Sequence, residues 1–231
     1  MHLPNPVDEM MEAISVALAR GLHLDAAISC RRALMFARNT NDFASMARIC
    51  LPMLEAQRGI RLAALETKTI ITAGDSTDIP TDPKSCCYLF APNFVGVDAR
   101  RFRAAANDAG IGAFVLTREP TTSKGRWPIV GVADRVVRVQ VNPPEEHHPT
   151  TEWFAGAAEA LGDQAIIDAK KASDPDDPKQ WIVDDFLDRL DACPEHEKFI
   201  KALADACQRA INAPPTARKR RRGIIDDPYS F

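Results

Sequence analysis

The side chains best suited to chemistry crowd into one decapeptide, Thr117-Arg118-Glu119-Pro120-Thr121-Thr122-Ser123-Lys124-Gly125-Arg126. Arg118, Lys124 and Arg126 supply cations, and Thr121 and Thr122 supply hydroxyls. Guanidinium, ammonium and hydroxyl donors together suit a phosphate, a carboxylate or a nucleic-acid backbone. The chain carries neither a GxxxxGK[ST] loop nor a GxGxxG turn, so no standard nucleotide motif directs that chemistry. If the loop served an enzyme acting on a phosphorylated substrate, Asp98 or Glu119 would be the only local base. The plain alternative is a surface loop in which Arg118 pairs with Glu119 or Asp98.

Other reactive residues group less well, and no catalytic set, metal site or cofactor is expected. His147 and His148 stand side by side in a proline-rich segment, where adjacent side chains diverge and seldom share one metal. His196, between Glu195 and Glu197, reads as a solvated first turn of a helix. Asp184, Asp185, Asp188 and Asp191 have helical spacing but lack the glycine and bidentate glutamate of a calcium loop; they read as a solvated face. Cys86 and Cys87 are adjacent on an apolar run with no histidine close in sequence, which suits buried packing better than nucleophilic attack.

The elements that must position the loop are legible. Cys86–Phe90 is apolar without alternation, as in a strand covered on both faces. Asp98 reads as the N-cap of a helix running to Ala109, with Gly110 ending it, and Ala113–Leu116 is the next buried strand. A strand–helix–strand unit of this length favours a right-handed parallel crossover. Pro128–Val132 and Val136–Val141 form a hairpin around Ala133-Asp134-Arg135. In open α/β sheets ligands sit beyond the carboxyl ends of the strands, which places the decapeptide on the expected edge. The helix N-terminus points there too, although Asp98 would compete with an anion.

Helices flank this core. On the N-terminal side, a helix starts near Asp8, a second is capped by Asp25 and a third runs from Phe43; Gly21 stops the first, and Pro52 should kink or split the third. Thr67–Thr72 is a short β-branched strand. On the C-terminal side, helices are expected near Thr151–Ala172, Lys179–Ala192 and Glu195–Ile211. The phrase Asp25-Ala26-Ala27-Ile28-Ser29-Cys30-Arg31-Arg32-Ala33-Leu34 resembles the second helix of a tetratricopeptide repeat. Ala26 and Ala33 fall where that repeat needs close helix approach; Cys30 replaces its usual aromatic residue. The likeness covers residues 8–38, without a second copy, and implies an antiparallel helical hairpin with at most a protein-binding groove.

Charge divides the chain more sharply than its net value of −3 suggests. Residues 145–198 carry a balance of −10, whereas residues 100–138 hold eight bases and three acids. Acidic helices packed beside a basic core would account for this; so would core cations that serve an anionic ligand. Arg218, Lys219, Arg220, Arg221 and Arg222 form a run that neutralises polyanions without sequence readout. Tyr229 and Phe231 follow among acids, a composition that docks in partner grooves. The closing Asp-Asp-Pro-x-x-Phe resembles, at different spacing, the acidic tip of bacterial single-stranded-DNA-binding proteins.

These features predict a mixed α/β protein in four parts: a helical hairpin or bundle (1–66), a small α/β core (67–144), acidic helices packed on it (145–213) and a disordered basic tail (214–231). No stretch reaches the roughly 18 apolar residues of a membrane span, no secretory signal is visible, and the six cysteines are scattered, so a cytoplasmic location is expected. The leading functional expectation is a non-enzymatic protein–protein interaction or assembly subunit, with another protein as partner and no membrane. The alternative is a binder of anions or nucleic-acid backbone, using the 117–126 loop and the Arg218–Arg222 tail.

Overall fold

Apolar periodicity and turn residues divide the described residues into seven α-helices and one five-stranded sheet. The structure is a computed structural model and describes residues 6–174 and 176–214. The N-terminal layer is α1 (Pro6–Ala19), α2 (His23–Asn39) and α3 (Phe43–Glu66). Leu22 N–H reaches the Ala17 carbonyl and Gly21 N–H the Leu18 carbonyl, both at 2.9 Å; Gly21 at φ +70° provides the left-handed residue this helix ending needs. Asn41 at φ +56° repeats the device after α2. Asp25, expected as the cap of α2, lies instead in its first turn. Pro52 does not split α3, because Ile49, Cys50, Met53 and Leu54 are buried on both sides of it and hold the helix in place.

Strands β1 (Ile70–Ala73), β2 (Cys87–Phe90) and β3 (Phe114–Arg118) are parallel, and β4 (Trp127–Val132) and β5 (Val136–Val141) continue the sheet antiparallel in the order β1-β2-β3-β4-β5. The crossover helix α4 (Gly96–Asp108) and the β4–β5 hairpin appear as the sequence predicts. Sequential order has a consequence: the sheet lacks the strand-order reversal that creates a crevice in doubly wound folds.

Both faces of the central strands are covered. Tyr88, Phe90 and Val115 pack against Ala99, Phe102 and Ala106 of α4, with the Tyr88 and Phe102 rings 4.6 Å apart. The opposite face, with Cys87, Leu89, Phe114 and Leu116, joins a continuous core that extends into the N-terminal helices and into α5 (Thr151–Lys171), α6 (Lys179–Leu190) and α7 (Glu197–Ala210). All four residues of β2 are buried, which explains why its sequence does not alternate. Among the described residues no helix is long and apolar enough to cross a membrane.

Candidate functional site

At the carboxyl end of β3 the chain leaves the sheet at Arg118 and returns at Trp127. Between them a tight turn forms: Thr122 N–H donates to the Arg126 carbonyl, Gly125 N–H to the Thr122 carbonyl, and Arg126 N–H to the Thr122 hydroxyl at 3.1 Å. The Thr122 hydroxyl is therefore engaged in shaping the loop. Lys124 and Arg126 are exposed and line no cavity described at this edge. Arg118 and Thr121 do line one, of about 270 Å³, with Thr72, Trp127, His147 and His148. The structure thus brings two of the five expected loop residues together and leaves Thr122, Lys124 and Arg126 outside.

Arg118 pairs with neither carboxylate expected of it. Its guanidinium lies 4.1 Å over the Trp127 ring, and burial lowers its pKa from the usual arginine range. Glu119 is held by Arg138 through two contacts of 2.7 and 2.9 Å. Asp98 is not the N-cap of α4 but its third residue; Val95 is the cap, and its N–H donates to Asp98 at 2.9 Å. An acid at that position reaches back to the cap N–H, the second half of a capping box. Both nearby acids are occupied by local partners, and no carboxylate lines the cavity.

The histidine pair arrives by an unusual backbone. Glu146 and His147 stand at φ +49° and +62°, a left-handed pair without glycine. Such conformations cost free energy and cluster at functional sites. They set the His147 ring 5.9 Å from Trp127, whose other neighbour, Trp153, is 5.4 Å away edge-on. Trp127 is 3% exposed, and its indole N–H has no partner among the described residues. Guanidinium, hydroxyls and imidazoles with no carboxylate make a donor-rich lining suited to an oxyanion. The linear pattern hides this: adjacent histidines among prolines read as linker, and Thr72 comes from a strand 46 residues before Arg118.

Elsewhere the structure corrects two expectations. Asp185 and Asp188 are buried, Asp184 holds Arg38 at 2.6 and 2.9 Å, and Asp191 meets Arg31 at 3.0 Å, so this series is not a solvated face. His196 is buried rather than solvated; its Nδ1 accepts the Phe199 N–H at 3.1 Å and caps α7. Among the described residues no group of three or more His, Cys, Asp or Glu side chains is placed to hold a metal. Cys86 and Cys87 are both buried, and burial pushes the Cys87 thiol up to about 12, far from a thiolate at neutral pH. Arg218, Lys219, Arg220, Arg221, Arg222, Tyr229 and Phe231 lie outside the described residues. Comparison of the chain with protein-family models, curated proteins and solved structures finds no match.

Proposed function

We propose that this chain is an anion-binding protein that receives a phosphate or carboxylate group at the carboxyl edge of its sheet. One observation carries the reading: the sheet-edge cavity combines Arg118, His147, His148 and two threonine hydroxyls and has no carboxylate in its lining. Arg118 is the centre of the site because stacking on Trp127 fixes its guanidinium plane while leaving its N–H donors without a carboxylate partner. Thr121 and Thr72 add hydroxyl donors, and the histidines close the outer side. The assembly role expected from sequence draws on the helical hairpin at 8–38, on the lack of a catalytic set and on the 218–231 segment, the last of which lies outside the described residues.

The test is calorimetric titration of the full chain with inorganic phosphate and pyrophosphate. Replacing a charge-assisted bidentate contact costs about 1.5–3 kcal/mol, so Arg118→Ala should weaken binding by roughly tenfold or more. Arg118→Lys should recover part of the loss. Lys124→Ala and Arg126→Ala should change affinity by less than about twofold, since screened surface charges contribute little. Affinity unaltered by Arg118→Ala, or no binding by the wild-type chain, would remove the proposal.

A further inference from the structure

A second cleft opens on another side of the molecule, where α2 and α3 meet α4 and the corner between α6 and α7. Its volume is about 460 Å³, larger than the sheet-edge cavity and within the size range of small-molecule sites. Its floor is aliphatic, from Leu24 and Ile28 of α2 and Met53 and Ile60 of α3. Its rim is cationic, with Arg31 and Arg32 from α2 and Arg100 and Arg103 from α4. Arg100 and Arg103 are three apart on one helix, so they share a face.

The four arginines are not equivalent. Arg31 is fixed by Asp191 at 3.0 Å. Arg103 donates to the Val115 carbonyl at 2.8 Å and the Asp191 carbonyl at 3.2 Å, and it lies 3.4 Å from Glu195. These two brace the walls and answer both carboxylates in the lining. Arg32 makes no hydrogen bond or ion pair with any described residue, and Arg100 reaches only the Ala133 carbonyl at 3.3 Å. Two guanidinia therefore have no carboxylate partner among the described residues and retain donors for an anion. Burial also pushes the Glu195 carboxyl above its ordinary range, with Arg103 opposing. Gln57 and Asn107 line the same cleft with side-chain amides that have no partner among the described residues. An aliphatic floor alone would suit an acyl chain, and arginines alone a bare anion. The combination of floor, free guanidinia and unpaired amides matches a molecule with a flat apolar part, hydrogen-bonding edges and an anionic head.

We propose that this cleft binds a nucleoside phosphate, with Arg32 and Arg100 on the phosphate, Gln57 and Asn107 on the hydrogen-bonding edges of the base or ribose, and the base over the aliphatic floor. The site is separate from the sheet edge and does not depend on anion binding there. The test is titration of the full chain with ADP, GDP and UDP, and with adenosine and pyrophosphate as halves of a ligand. At least one nucleotide should bind tenfold or more tightly than either half. The Arg32→Ala/Arg100→Ala double variant should weaken that binding at least tenfold with an unchanged melting temperature, because both side chains are exposed. Ala104→Trp, at an exposed position on the rim, should occlude the cleft and abolish binding. In the Arg118→Ala variant, which removes the sheet-edge anion site from the comparison, at least one nucleotide should still bind at least tenfold more tightly than pyrophosphate. The proposal is overturned if no nucleotide binds that variant, if pyrophosphate binds it as tightly as the nucleotide does, or if the Arg32→Ala/Arg100→Ala double variant binds the nucleotide normally.

Discussion

His196 and Gly162 show how a single missing side chain sets a contact. The His196 ring lies directly against Gly162 of α5, and a Cβ at that position would collide with Cγ, Cδ2 and Nδ1 of the ring. The same ring caps α7 through Nδ1, while its Nε2 lies 3.2 Å from Glu159 and 3.5 Å from Asp163. Gly59 of α3 is built the same way, with the His23 ring where its Cβ would be. Gly156, also on α5, faces open space. Gly162→Ala should therefore destabilise the protein by about 1–3 kcal/mol, the usual cost of overpacking. Gly156→Ala should stabilise it by about 0.5–1 kcal/mol through helix propensity alone. Urea denaturation of the two variants checks the pair; equal shifts of one sign would mean that the His196 contact does not matter. In sequence His196 reads as solvated because two glutamates flank it. Glu195 is itself buried beside Arg103, 92 residues away, and no local pattern encodes that distance.

Helix ends carry much of what could be read at the level of elements, and also the main errors. Asp42 is the N-cap of α3, accepting the Ser45 N–H at 2.9 Å. Because α3 packs on both α2 and α7, loss of that cap should register in global stability. Asp42→Ala should cost about 1 kcal/mol and Asp42→Asn much less, since asparagine caps nearly as well. Guanidinium denaturation compares them; equal losses would show that the hydrogen bond is not the cause. At α4 the acid lies three residues inside the helix rather than at its start, because Asp98 reaches back to Val95. That three-residue shift matters for function: the acid is tied to its own helix and not available to Arg118. The strands were easier to read, since unbroken apolar runs such as Cys87–Phe90 admit few alternatives to burial on both sides.

Across the whole molecule, the acidic C-terminal helices do meet basic partners, but many of those partners lie in the N-terminal helices. Arg38 holds Asp184, Arg58 holds Glu197 at 2.6 Å, and Arg61 bridges Glu159 and Glu197 at 2.7 and 2.6 Å. The sheet core contributes Arg103 to Glu195 and Arg135 to Asp188. Removing these charges from mutual repulsion joins the first and last thirds of the chain around one apolar core. Burial also predicts a pH response. It lowers the His196 pKa, while Glu159 and Asp163 pull the other way and Lys198 adds to the lowering. In the unfolded chain histidine titrates near about 6.5, so as pH falls below that value the unfolded state takes up the proton first and stability drops. Glu195, whose pKa is raised, acts in the opposite sense, because the folded state then gains its proton first. His196→Asn retains a cap without the titration. Wild type should lose more stability than this variant between about pH 7.5 and about pH 5.5, measured by urea midpoints; parallel profiles would exclude His196 as the cause. The sequence by itself determined the mixed α/β class, the parallel crossover, the β4–β5 hairpin and Arg118 and Thr121 at a sheet edge, because periodicity, turn residues and strand direction are local properties. Tertiary structure alone decided that Trp127, Thr72 and the two histidines join Arg118, that Asp98 and Glu119 are taken by other partners, and that arginines of α2 and α4 face each other across a cleft. Those outcomes depend on which distant surfaces pack together, and that is set by burial of the whole core rather than by spacing along the chain.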